Sequence, residues 1–116
     1  MLGEISGQVQ NSIQQLPATN PEQNQLKETL SKLQQWVEKL PEKAAKPEDK
    51  ADVLQHIEKI ADVSQKPKDQ QDQGIIRTAL KVFKGFKSDV DETISDSKTL
   101  LTEFDDLVAQ IKSLFP

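Results

Sequence analysis

Between its prolines this chain places an apolar residue every three or four positions and never alternates apolar with polar, which restricts it to helices. Leu26, Leu30, Leu33, Val37 and Leu40 advance by four, three, four and three, a heptad-like seam that one helix face can bury. Asn20 before Pro21 predicts where that helix starts: an asparagine side chain caps the first turn, and proline lacks only an N–H that has no partner there. Pro41 predicts its end, since the residue before a proline is pushed out of the α region. Trp36 lies beside the seam.

The same reasoning divides the rest of the chain. Ile5, Val9, Ile13 and Leu16 mark one side of an N-terminal helix within residues 1–17. Gly3 and Gly7 leave it weakly ordered, each costing about 1 kcal/mol against alanine in a helix interior. Pro47 starts a further helix, with Glu48 and Asp49 where the helix dipole favours negative charge. Leu54, Ile57 and Ala61 form its apolar line, widened by Val53 and Ile60, until SQKPKDQQD breaks the pattern. A fourth helix runs from about Gln73 to about Ser88, and a fifth carries Leu100, Leu101, Phe104, Leu107, Val108, Ile111, Leu114 and Phe115. DVDETISDSK between them reads as a loop or frayed joint, although Val90 and Ile94 could let the helix run on. The expected fold is all-α, a small bundle of four to five helices with short loops marked by prolines. One domain spans 1–116, with a helical hairpin over 20–64 and two further helices within 73–115.

Composition excludes several classes of function. The chain has 116 residues, no cysteine, one histidine and a net charge of −4. Disulfides, thiolate catalysis and the usual structural zinc sites are therefore excluded. The modest negative charge provides no general attraction to nucleic acid or anionic lipid. MLGEISGQVQNSIQQLP has neither the basic start nor the apolar run of a secretory signal, and no apolar stretch is long enough to span a bilayer. The default expectation is a soluble, cytoplasmic protein.

Reactive constellations are equally scarce. His56 has only Asp52 and Glu48 as potential companions on its own helix, which makes it a partly exposed helix residue before it makes it a base or a metal ligand. The acidic groups Asp89-Val90-Asp91, Glu92-Thr93 and Asp105-Asp106 lack the glycine turn and oxygen spacing of a calcium loop. No phosphate-binding glycine loop, nucleophile elbow or catalytic triad can be drawn. Thr29, Ser31 and Ser95 read as ordinary surface positions. The expectation is a chain that is not an enzyme, with no cofactor, no metal and no small-molecule substrate.

The most basic and most apolar stretch is IIRTALKVFKGFK, Ile75 to Lys87. Projected on a helix, Ile75, Ile76, Ala79, Leu80, Val82, Phe83 and Phe86 occupy an arc of roughly 160°, and Arg77, Lys81, Lys84 and Lys87 gather on the adjoining arc. A basic amphipathic helix of this kind suits a membrane surface or an acidic partner. The arc also suits burial in a bundle. Asp89, Asp91, Glu92, Asp96, Glu103, Asp105 and Asp106 follow, and an antiparallel pair of helices is expected to bring these acids onto the cations. Without exposed aromatic residues among them, the cations make a poor nucleic-acid surface. The candidate interaction residues are Trp36, which beside a leucine seam is more often core or a hydrophobic lid but is a residue type enriched at interface hot spots, and Arg77, Lys81, Lys84 and Lys87.

SIQQLPATNPEQNQLKETLSKLQQWVEKLP, KPEDKADVLQHIEKIADVSQKP, RTALKVFKGF and LLTEFDDLVAQIKSLF occur in that order over roughly residues 12 to 115. Together they resemble the helical domain found at the C-terminus of cyanobacterial multidomain proteins, behind pentapeptide repeats, TIR domains or NACHT-type NTPase modules. The LPxxxPEQ start, the PEDKADVLQHIEKIAD helix and the TALKVFKG run carry the likeness. It implies a non-catalytic accessory domain of a bacterial signalling or conflict-type protein, one that binds a protein partner or associates with itself. It supplies no site residues. The last helices are more acidic than that pattern, and DVDETISDSKTLL stands where similar chains are more apolar, which weakens a membrane-insertion reading. A peripheral membrane protein laying its basic helix on headgroups remains the alternative.

Overall fold

The structure is a computed structural model that describes residues 2–93 and 98–115. The described residues form helices α1 (Leu2–Gln14), α2 (Pro21–Lys39), α3 (Pro47–Ser64), α4 (Gln73–Thr93) and α5 (Lys98–Leu114), with a single 3-10 turn over Lys68–Gln70. They include no strand, so the chain is an all-α bundle.

Local signals start and stop most of these helices. The Asn20 side chain accepts the Gln23 N–H at 2.8 Å, while the Gln23 carboxamide accepts from both the N–H and the hydroxyl of Thr19. The first bond satisfies a donor that the first turn of α2 would otherwise leave unpaired, and the others tie that turn back to the residue before the cap. Asp72 does the same for α4, accepting the Gly74 N–H at 2.9 Å. The end of α4 differs from the sequence expectation. The helix continues past Ser88 to Thr93, because Val90 is fully buried four residues beyond Phe86 and extends its apolar line. One polar turn did not outweigh a core residue spaced to continue the face. Ile94, Ser95 and Asp96 lie outside the described residues.

Packing partners define a ring: α2 lies on α3, α3 on α4, α4 on α5, and α5 returns to α2. Short connections make neighbours in such a ring run antiparallel. Helix α1 stands outside it, in the groove between α2 and α3, with Val9 and Ile13 at no more than 1% exposure. The buried carboxamide of Gln34 fastens it, donating to the Ser6 carbonyl at 3.0 Å, and the Ser6 hydroxyl donates to Glu38. In the ring, the α4/α5 edge lies opposite the α2/α3 edge. Among the described residues, a helix covers the α2/α3 edge and none covers the α4/α5 edge.

Leu30, Leu33 and Val37 of α2, Leu54, Ile57 and Ile60 of α3, Ile76 and Phe83 of α4, and Phe104 and Ile111 of α5 fill the core. Trp36 is among them. It is 7% exposed, packed at a tilt against Phe104 with ring centroids 4.7 Å apart and edge-on to Phe86 at 6.4 Å. The expectation that it offers an interaction surface is corrected: its seam position points it between α4 and α5, where three phenylalanines need a large flat partner. Thr29 is also no surface residue. It is 2% exposed, and its hydroxyl donates to Gln110 of α5 at 2.9 Å.

Candidate functional site

Helix α4 has three kinds of face. Ile76, Ala79, Phe83, Phe86 and Val90 are buried and hold it in the bundle. On the α3 side, Asp89 stands with Asp49 and Asp52 around a shallow depression of about 200 Å³ beside Gly85. On the α5 side the helix carries Arg77, Lys81, Lys84 and Lys87, the four cations expected from the sequence, in successive steps of three or four residues that keep them in one row.

That row forms one wall of a groove of about 460 Å³ between α4 and α5. Leu80, Phe104 and Val108 make its floor, and Lys112 of α5 adds a fifth cation at the other wall. Leu80 and Val108 are half-buried, so the floor is partly wet apolar surface, while Phe104 closes it from below. The groove has one carboxylate, Asp105.

The expected neutralisation of the row by α5 is therefore corrected to a single pair. Lys87 donates to Asp105 Oδ2 at 2.8 Å, with both side chains well exposed to solvent. The Arg77 Nε–H reaches only the Gln73 carbonyl of its own helix, at 3.5 Å. Lys81, Lys84 and Lys112 have no ion pair or hydrogen bond among the described residues. Helical geometry explains the shortfall. With Phe104 turned into the core, Asp105 and Val108 fall on the α4 side of α5, whereas Glu103 and Asp106 fall on its far flank and outer face. Asp89 is turned to α3 by the same periodicity, and Asp96 lies outside the described residues. Like charges three and four residues apart disfavour the helix that carries them. Here, among the described residues, the Lys87–Asp105 pair is the one ion pair that offsets this repulsion.

His56 has a separate, plainer setting. Its ring Nδ1 is 2.8 Å from the Asp52 carbonyl and 3.6 Å from Asp52 Oδ1, one turn back on α3. Lys59, Asp72, Gly74, Ile75 and Thr78 line the hollow beside it. Among the described residues, no three acidic, histidine or cysteine side chains are grouped to hold a metal ion. No helix among them is long and apolar enough to cross a membrane.

Lys112 is the site residue that sequence reasoning missed. It sits in an acidic final helix, and only its spacing of seven residues from Asp105 and four from Val108, which returns it to their face, could have linked it to the α4 cations. Compared with known protein families, with curated proteins and with solved structures, the chain has no match.

Proposed function

We propose that this chain is a non-catalytic interaction module that holds an acidic segment of a partner protein in the α4/α5 groove. The carrying observation is the row Arg77, Lys81, Lys84 and Lys87, joined by Lys112 over an apolar floor and answered by Asp105 alone. Unpaired charge of one sign around a desolvatable floor attracts the opposite sign and sets specificity and on-rate. The likeness to accessory domains of cyanobacterial multidomain proteins, carried by LPxxxPEQ, PEDKADVLQHIEKIAD and TALKVFKG, supports the same reading and suggests a role within a bacterial signalling or conflict-type protein.

A membrane-surface role fits the packing less well. Ile76, Ala79, Phe83, Phe86 and Val90, the apolar residues that α4 would lay into headgroups, are committed to the core at 4% exposure or less. Binding a bilayer through them requires opening the bundle.

The test compares wild type with Lys81→Glu/Lys84→Glu in affinity capture from the source cells, alongside co-sedimentation with neutral and anionic vesicles. A protein retained by wild type, lost by the variant and released by salt supports the proposal. Salt-sensitive sedimentation with anionic vesicles and no such protein counts for the membrane reading instead.

A further inference from the structure

We infer that the occupant of the α4/α5 groove is itself a helix, acidic along its flanks and apolar on the face it turns inward. This rests on the proposed function and specifies the partner's chemistry. Three observations lead to it.

The first is what the groove lacks. Both walls are helices whose interior backbone groups are already bonded within α4 and α5. An extended peptide lying there would give up water from its own N–H and C=O groups and find no backbone partners in exchange. A helix satisfies those groups internally and needs from the groove only apolar contact and charge. The second is shape. Between two packed helices a third seats its ridge of side chains in the groove, and α1 does this on the opposite edge of the ring, with Val9 and Ile13 turned down between α2 and α3. The third is the arrangement of charge. Arg77 and Lys87 are separated by ten residue steps along α4, about 15 Å at 1.5 Å per residue, or roughly three helical turns. Cations stand on both walls, Lys81 and Lys84 on one and Lys112 on the other. An occupant with apolar residues at i, i+3, i+4 and i+7 over Leu80, Phe104 and Val108 would present carboxylates to both walls at once.

The occupant is not α1 of a second copy, because α1 has one acidic residue, Glu4, in its length. Asp105 acts as a competitor within the groove: it holds Lys87 at 2.8 Å and must share or release it when a partner carboxylate arrives.

The experiment uses the full chain and a labelled acidic peptide of about fourteen residues, with leucines at i, i+3, i+4 and i+7 and glutamates on both flanks. Two controls accompany it, a scrambled peptide of identical composition without an apolar face and a peptide with proline at its centre. Binding is read by fluorescence anisotropy, peptide helicity by circular dichroism, and groove occupancy by the emission of Trp36, which is packed against the floor residue Phe104. The amphipathic peptide is expected to bind, gain helicity and shift Trp36 emission. Both controls are expected to bind about tenfold more weakly or worse, as is the amphipathic peptide to Lys81→Glu/Lys84→Glu. Asp105→Asn is expected to tighten binding roughly two- to fivefold by releasing Lys87. If the glutamate variant does not fold, Lys81→Gln/Lys84→Gln replaces it.

Equal binding of scrambled and amphipathic peptides, both lost in the lysine variant, overturns the helical occupant and leaves the acidic-partner reading standing. Failure of every acidic peptide to bind, or binding indifferent to Lys81 and Lys84, overturns both. Preference for anionic vesicles over the peptide also overturns both.

Discussion

Lys50 carries its charge into the bundle at 5% exposure and donates its ammonium to the Leu40 carbonyl, at the point where α2 ends. A cation at a helix C-terminus meets the negative end of the dipole and pairs a carbonyl that the helix leaves unbonded. Lys50→Met keeps most of the stem but orphans that carbonyl, and is expected to cost about 1–2 kcal/mol, read from urea titration. Trp36 marks the other residue-scale decision. With Phe86 and Phe104 packed on it, Trp36→Ala is expected to cost about 3–5 kcal/mol in denaturation followed by circular dichroism. A Trp36→Ala protein of wild-type stability would show that the ring is not a core residue. The seam already favoured burial of Trp36 without deciding it, whereas Lys50 and Thr29 are polar residues whose burial was not legible, because a remote carbonyl or carboxamide comes to meet them.

The helices themselves were legible wherever caps and periodicity agree. Asn20-Pro21 and Pro47 begin α2 and α3 as expected, α2 by a side-chain cap acting three residues away and α3 by proline in its first turn. For the C-terminal end of α4 the sequence allows both a stop near Ser88 and a run through Val90, because the residues around Val90 are polar and acidic. The glycines of α4 give an element-scale test. At Gly85 a Cβ meets nothing within 4 Å and φ is not positive, so Gly85→Ala is expected to stabilise by about 0.5–1 kcal/mol. At Gly74 a Cβ comes within 3.0 Å of the capping Asp72 Oδ1, so Gly74→Ala is expected to gain less. Thermal melts of the two variants side by side check the contrast; equal gains would mean that the Asp72 cap contributes nothing to α4.

At the scale of the whole molecule, a chain of net charge −4 separates its charge across α4, acids toward α3 and cations toward α5. If the cation row is not used by the fold, Lys81→Glu/Lys84→Glu leaves the urea midpoint unchanged or slightly higher. Added salt should then raise the wild-type midpoint more than the variant's, because it screens repulsion that the variant lacks. A midpoint that falls in the variant would show that these lysines are paired within the fold. The sequence by itself determined a bundle of four to five helical segments, most of their boundaries, and the apolar and basic arcs of α4, because periodicity and capping act over a few residues. Only the tertiary structure decided that α1 covers the α2/α3 edge, that Asp105 is the one carboxylate lining the α4/α5 groove, and that no described helix covers that groove. Those outcomes depend on which faces meet when burial is shared among all the helices, and no single segment's pattern contains that choice.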